Sequence, residues 1–359
     1  MKKYFLAVLT ILMIAGFVGC GVTQTVEQPP VAVREPIETT DAETPPTDAP
    51  AIAEQDAEPE TPFEPATVRV AAMRGPTAMG LLHLMHEAEN GTARNNYEFE
   101  LLGSPDLVPP LLVQGEIDIA AVPGNLAAVL YNRLDVQALA VVTLGVLHIV
   151  DTTDTIHSIE DLRGRTIYTH GQGITPEIAL NYVLEQNGLT PGEDVFVEFR
   201  AEHAEIAALL ETGQAEIALL PEPFVSTVLA RVDGLRVALD LSEEWDRVQP
   251  DYGLIMSVVI ARREFLEQNP QAVAVFLEEY AASVAYVNAN VPSAAQLAVD
   301  FDLIPALPIA QSAIPRSNIV FITGNEMRQN LIGFYNVLYN ANPETVGGAM
   351  PSDDFWFND

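Results

Sequence analysis

Two short loops in this sequence combine a glycine, a helix start and a threonine at the same relative positions. Residues 75–77 (Gly-Pro-Thr) and 173–175 (Gly-Ile-Thr) lie 98 residues apart, since 173 − 75 = 98. A glycine lets the backbone approach a ligand closely, and the free N–H groups of a helix start attract an anionic group. The residue types therefore predict noncovalent binding of a small, partly anionic solute.

The same spacing relates two predicted strand ends. Residues 115–125 (GEIDIAAVPGN) and 213–223 (GQAEIALLPEP) share Gly, Ile-Ala and Pro at an offset of 98. Asn125 offers donors and an acceptor near one turn. Near the other, Glu222 either accepts from a ligand amine or ring N–H or caps the helix that begins close to Phe224.

The candidate ligand contacts follow from these loops and from the segment that joins the two halves. Thr77 is predicted to be an N-cap, and 175–177 (Thr-Pro-Glu) to be a helix start with proline in the first turn. His203 follows a strand, where a cleft position and a surface helix start are equally open. The predicted ligand contacts are Arg74, Gly75, Pro76, Thr77, Ala78, Met79, Pro123, Asn125, Leu144, Gly145, His170, Gly171, Gln172, Gly173, Ile174, Thr175, His203 and Glu222.

No residue pattern indicates catalysis, a metal or a cofactor. His83 and His86 share a helix face, but no third ligand stands at a metal-binding spacing, so no metal site is predicted. There is no Walker loop and no Gly-x-Ser-x-Gly sequence. With 17 Lys and Arg against 50 Asp and Glu, the net charge of −33 argues against binding nucleic acid or anionic lipid.

The N-terminus reads as an export signal followed by a tether. Two lysines precede an apolar run that ends at Gly19-Cys20, which resembles a bacterial lipobox although Phe17 is bulkier than the usual leucine. We expect a signal peptide over 1–19, lipid on Cys20 as the membrane anchor, and a disordered Pro/Thr/Glu-rich tether over 20–66. The expected location is the extracytoplasmic face of the cell membrane.

The remaining 293 positions alternate between short apolar strands and helical periods, which predicts an α/β fold with two lobes. Each lobe is expected to be a mostly parallel sheet flanked by helices. Lobe 1 spans 67–145 and returns over 251–345, lobe 2 spans 146–250, and 346–359 is a tail. The apolar run 141–150 is a predicted crossing strand; a loop over 245–252 and a strand over 254–263 give the second crossing.

These features resemble the substrate-binding lipoproteins of bacterial ABC importers. The segment SIEDLRGRTIYTHGQGITPEIALNYVLEQNGL (158–189) and the two echoed strand ends are similar to the nitrate/sulfonate/taurine and thiamine-precursor group. The resemblance covers roughly 67–345. It implies a type II periplasmic-binding fold whose two lobes close by hinge motion on a ligand held between them.

The resemblance also implies the partners. These are a small-molecule ligand, an ABC permease with its ATPase, and the membrane through Cys20; a monomer without enzymatic activity is expected. Two alternatives stay open, an enzyme on the same scaffold (pyrimidine synthase-like or dehydratase-like) and a receptor lobe for a sensor. Arg74 and the helix starts favour an acidic ligand group while Glu222 favours a basic one, so a zwitterion or a polar heterocycle is expected.

Overall fold

The computed structural model describes residues 63–357, and the strands of this part form two sheets. In chain order the strands are β1 (Thr67–Met73), β2 (Asn96–Leu102), β3 (Ile119–Pro123), β4 (Val136–Leu144), β5 (Leu147–Asp151), β6 (Thr166–Thr169), β7 (Phe196–Phe199), β8 (Ile217–Pro221), β9 (Arg236–Asp240), β10 (Ile255–Arg262) and β11 (Ile319–Ile322). Strands β3 and β8 are continuous apolar runs because neighbours and helices cover both of their faces.

The strand directions confirm the α/β prediction. The first sheet has the order β11-β4-β10-β3-β1-β2 and the second the order β7-β6-β8-β5-β9. Strand β1 pairs in parallel with β2 and β3, whereas β10 pairs antiparallel with β3 and β4. Following the pairings, β1 to β4 point one way in the first sheet and β6 to β9 point one way in the second. Each sheet is thus mostly parallel, with antiparallel strands inserted.

Helices cover both sheets. They are α1 (Pro76–Met79), α2 (Leu82–Glu89), α3 (Val108–Gln114), α4 (Gly124–Tyr131), α5 (Thr175–Gln186), α6 (His203–Glu211), α7 (Phe224–Leu229), α8 (Leu241–Val248), α9 (Arg263–Gln268), α10 (Pro270–Ala289), α11 (Val291–Asp300), α12 (Leu307–Ala313) and α13 (Gly324–Ala341). We refer to the first sheet with α1–α4 and α9–α13 as lobe 1, and to the second sheet with α5–α8 as lobe 2.

The 98-residue spacing is a repeat of structure. Strand β3 shifted by 98 residues coincides with β8, since 119 + 98 = 217 and 123 + 98 = 221. The order β2-β1-β3 of the first sheet is matched by β7-β6-β8 of the second. Strand β5 of the first repeat lies between β8 and β9, and β10 of the second repeat lies between β3 and β4. The two repeats therefore exchange their last strands.

The two crossings differ in detail from their predicted form. The run 141–150 is two strands, because the chain leaves the first sheet at Leu144 and enters the second at Leu147. Gly145 between them lies so close to Ser242 that a Cβ there would collide with its hydroxyl. The second crossing joins α8 to β10 through Tyr252, whose ring packs where a Cβ on Gly333 of α13 would stand.

Two local expectations are wrong. Trp245 was expected in a loop, but it lies in α8, because Asp240 accepts a hydrogen bond from the N–H of Ser242 at 2.8 Å and caps that helix. The sequence DLVPPLLVQG (106–115) by itself predicts a short helix that Pro109 and Pro110 break. They occupy its first turn instead, where the missing N–H groups cost no helical hydrogen bond.

Several predictions concern residues outside the described part of the chain. The signal peptide over 1–19, Cys20, the tether up to residue 62 and the last two residues of the tail lie there. Within residues 63–357, no helix has the length and apolar character needed to cross a membrane.

Candidate functional site

The predicted loops leave the carboxyl ends of β1, β3, β6 and β8, two from each lobe. In α/β sheets this is where ligands bind. A cavity of 410 Å³ brings three predicted residues together, since Pro123 and Asn125 of lobe 1 and Ile174 of lobe 2 line it. Its other walls are mostly apolar, with Asp106 and Arg133 as the charged members. We call the space between the lobes at these loops the cleft.

A second cavity of 440 Å³ lies on the lobe 2 side of the cleft. Its lining includes four residues of the predicted set, His170, Gly171, Gln172 and Ile174, together with Arg200. The side chain of Ile174 is 46% exposed and borders both cavities, so the two spaces adjoin at this residue.

An aromatic ladder connects this wall to the start of α7. The ring of His203 lies 4.6 Å from that of His170 and is stacked on Phe224 at 4.4 Å. Burial, with a smaller contribution from His170, lowers the pKa of His203 to about 4. The Nδ1 atom of His170 lies 3.2 Å from the carbonyl oxygen of Arg200, which orients its ring. His203 is therefore uncharged at neutral pH, and its ring lies between those of His170 and Phe224.

Glu222 is a buried carboxylate between the lobes. Its side chain accepts hydrogen bonds from the N–H and the hydroxyl of Ser226 in the first turn of α7, both at 3.1 Å, while the N-cap position itself is Pro223. Arg316 of lobe 1 lies 3.6 Å from its Oε1 atom. Burial raises the pKa of Glu222 despite these donors and the nearby His148. Glu222 thus binds a free N–H in the first turn of α7 without occupying the N-cap position, and the same carboxylate faces a cation of the other lobe.

We expect Glu222→Gln to change the pH dependence of stability. A carboxyl with a raised folded pKa stabilises the fold below its unfolded pKa, and this contribution is lost as pH rises through the folded pKa. The Tm of the Gln variant should therefore rise relative to wild type between pH 4.5 and neutrality. Glu198→Gln, at a side chain that is 55% exposed, is the control. An unchanged Tm difference over this range would contradict the expectation.

The predicted residues after β1 are placed differently from one another. Gly75 has φ 98° and is the N-cap of α1, with Pro76 in its first position. The N-cap prediction for Thr77 is therefore wrong, because the N-cap lies two residues earlier, at Gly75. The hydroxyl of Thr77 lies 2.7 Å from that of Ser257. Ala78 and Met79 are fully buried in the core of lobe 1.

Arg74 lies apart from these cavities. Its guanidinium donates to the carbonyl oxygen of Asp302 at 2.6 Å, and it lines a separate cavity of 380 Å³ with Tyr97 and Phe301. In lobe 2, Thr175 is buried as the first residue of α5, and Gly173 precedes it with φ 76°. The structure thus brings the lobe 2 loop and the β3 turn together and leaves Arg74 outside.

The first crossing is held by Asn318, a residue that no sequence pattern indicates. Asn318, next to β11, donates to the carbonyl oxygen of Gly145 at 2.5 Å and lies 3.4 Å from the hydroxyl of Ser242. Leu144 is half-buried beside it, while Gly145 is buried. Neither Asn318 nor Arg316 was among the predicted ligand contacts, because neither lies in a strand-end loop of the repeat. The one available signal for Arg316 was its charge, since the sequence has only 17 lysines and arginines against 50 acidic residues.

The comparisons with known proteins agree with this geometry. Residues 107–245 match the family described as "ABC transporter, phosphonate, periplasmic substrate-binding protein". An ABC transporter structure from Parabacteroides distasonis is 24% identical, with a TM-score of 0.70, 81% of this chain and 99% of that chain covered. No curated protein matches the chain.

Two structures with stated ligands share the fold at lower identity. The periplasmic aliphatic sulphonate binding protein SsuA from Escherichia coli is 16% identical, with a TM-score of 0.61 and coverage of 79% and 96%. The periplasmic nitrate-binding protein NrtA from Synechocystis PCC 6803 is 14% identical, with a TM-score of 0.55 and coverage of 79% and 84%. The resemblance to substrate-binding proteins of ABC importers that the sequence indicates is therefore confirmed, in the fold by these structures and over residues 107–245 by the family.

Proposed function

We propose that the protein captures a small solute in the cleft and delivers it to an ABC permease. The observation that carries this proposal is the 410 Å³ cavity in which Pro123 and Asn125 of one lobe meet Ile174 of the other. A solute held there would contact both lobes and so favour the closed arrangement of the lobes. The permease would recognise this closed form. No catalytic step is part of the proposal.

The proposed ligand carries an oxyanion, as a phosphonate or a sulfonate does. Asn125 is the second residue of α4, Thr175 is the first residue of α5, and Arg133 lines the cavity. Helix N-termini and cations favour anions. The proteins of known ligand with this fold are described as sulphonate- and nitrate-binding, and the matching family as phosphonate-binding. An amine on the same ligand would pair with Asp106, which lines the same cavity, so a zwitterionic oxyanion fits this proposal.

We further propose that the protein acts as a membrane-anchored monomer at the extracytoplasmic face. The support is the sequence, in which an apolar segment with two N-terminal lysines ends at Cys20, the only cysteine. Cleavage after Gly19 and lipid on Cys20 would leave the acidic, proline-rich residues 20–66 as a tether for lobe 1 (67–145 and 251–345) and lobe 2 (146–250).

Thermal unfolding of the purified protein with a ligand panel tests the function. The panel contains methylphosphonate, 2-aminoethylphosphonate, ethanesulfonate, 2-aminoethanesulfonate, nitrate and a neutral pyrimidine. We expect one class to raise Tm saturably, with about 2.7 kcal/mol of stabilisation at a hundredfold excess over Kd. If no compound shifts Tm, the transport proposal fails.

The variant Asn125→Ala then tests the place of binding. Loss of a hydrogen bond to a charged ligand group costs about 1.5–3 kcal/mol, so the affinity should fall by about tenfold or more. Asn90→Ala is the matched control, because Asn90 is the C-cap residue of α2, donates to the carbonyl oxygen of His86 and does not line the cleft cavity. If the two variants bind the ligand with equal affinity, the ligand does not contact the β3 turn.

A further inference from the structure

A cavity of 660 Å³ lies between the lobes, flanked by α5 of lobe 2 and α13 of lobe 1. It shares only Gly173 with the predicted ligand contacts. Its floor includes Tyr182 of α5 and Tyr252 of the second crossing. Gln249 joins these two tyrosines, since its amide nitrogen lies 3.3 Å from the hydroxyl of Tyr182 and 2.9 Å from that of Tyr252. The cavity therefore adjoins the hinge.

The side chains that line the cavity offer hydrogen-bond acceptors to a cation. The lining contains carboxylates and side-chain amides but, within the described part of the chain, no lysine or arginine. The polar members are Glu177, Asn181, Glu185, Asn336, Asn340 and Asn342. Two tyrosine rings complete the wall, and aromatic rings attract cations through their faces. An anionic solute would meet repulsion here, in contrast to the cleft.

The acceptors on α5 are evenly spaced. Glu177, Asn181 and Glu185 follow one another at intervals of four residues, so they lie on one face of the helix. Their spacing along the axis is about 6 Å per step and about 12 Å in all. Asn181 is the central member, and its Oδ1 atom is buried without a hydrogen-bond partner among the described residues. A buried acceptor of this kind is costly unless a donor reaches it.

From this juxtaposition we propose that the cavity is a second binding site, which takes a linear polyamine with three amino groups. The terminal ammonium groups pair with Glu177 and Glu185, and the central N–H donates to the Oδ1 atom of Asn181. The methylene segments lie against the tyrosine rings. Asn336 and Asn340 of α13 contact the amine from the other lobe. The proposal does not depend on which solute occupies the cleft.

Calorimetric titration of the full-length protein with spermidine tests this site. The work is done at about 0.15 M salt, because counterion-type binding to a chain of net charge −33 is screened there. We expect one saturable site. The double variant Glu177→Gln/Glu185→Gln should weaken binding about tenfold or more, since charge-assisted hydrogen bonds are lost. Putrescine, which is too short to reach both carboxylates, should bind about tenfold more weakly than spermidine.

The control is a variant with the same change in net charge. Glu160→Gln/Glu193→Gln alters two exposed carboxylates of lobe 2 that do not line the cavity, and it should leave the affinity unchanged. The cleft variant Asn125→Ala should also leave spermidine binding unchanged. The proposal is overturned if wild type shows no saturable site, if the control variant loses as much affinity as the cavity variant, or if Asn125→Ala does.

Discussion

Replacement of Asp118 by Ala is expected to lower the free energy of unfolding by about 3 kcal/mol. The side chain is 1% exposed and receives hydrogen bonds from two arginines, from Nε of Arg69 at 2.8 Å and from Nη2 of Arg262 at 2.7 Å. Burial disfavours the carboxylate, but these donors outweigh it and hold its pKa below the usual range. Removal of the carboxylate takes away the anion that the two guanidinium groups share, and among the described residues Arg262 then retains only the exposed Glu264 as an ion-pair partner, at 3.0 Å. Urea unfolding at neutral pH measures the loss.

The repeat supplies the matched control for this prediction. Glu216 stands 98 residues after Asp118 and pairs with Arg165 at 3.0 Å, but its side chain is 62% exposed. A solvated ion pair contributes about 0–1 kcal/mol, so Glu216→Ala should cost far less. If the two variants lose similar amounts of unfolding free energy, the buried cluster that links β1, β3 and β10 stabilises the fold no more than an exposed ion pair does.

Trp245→Ala is expected to cost about 3–5 kcal/mol, the range for truncating a buried aromatic side chain. Trp245 is fully buried, and its ring lies 4.8 Å from Tyr182 and 6.3 Å from Phe334. Its indole nitrogen donates to the carbonyl oxygen of Tyr252 at 2.9 Å. Because these neighbours come from both lobes and from the second crossing, the loss should appear in Tm and in the affinity for the cleft solute.

Phe196→Ala separates this effect from a general loss of aromatic surface. Phe196 in β7 is 47% exposed, and we expect its truncation to cost less than about 1 kcal/mol. Trp245→Phe retains part of the packing and should fall between the two Ala variants. A Trp245→Ala variant as stable as Phe196→Ala would mean that the hinge does not depend on this ring.

Periodicity and the internal repeat were enough to predict the fold class. The buried strands β3 and β8 are readable because each is an apolar run between a glycine that ends a helix and a proline that leaves the sheet. The crossing at Gly145 was predicted from the long apolar run around it. The insertion of β10 between β3 and β4 was not predicted, because strand order depends on pairings between distant segments.

The site was predicted as a set of loops more successfully than as a set of side chains. Ile174 and Asn125 line one cavity, as loops after parallel strands should. Arg74 leaves the same strand edge but its long side chain turns to Asp302, which no local pattern reveals. Arg316 reaches Glu222 across 94 residues of sequence (316 − 222 = 94), and such ion pairs are properties of the assembled lobes.

The exchanged strands limit how the lobes can move. Because β5 is hydrogen-bonded into lobe 2 and β10 into lobe 1, neither repeat completes its own sheet, and the two halves are interlocked in the manner of a domain-swapped dimer joined into one chain. Separation of the lobes would require tearing a central strand from a sheet, whereas bending needs rotation only near Gly145 and Tyr252. The two lobes can therefore open and close by bending at the two crossings, but they cannot separate while the sheets stay intact.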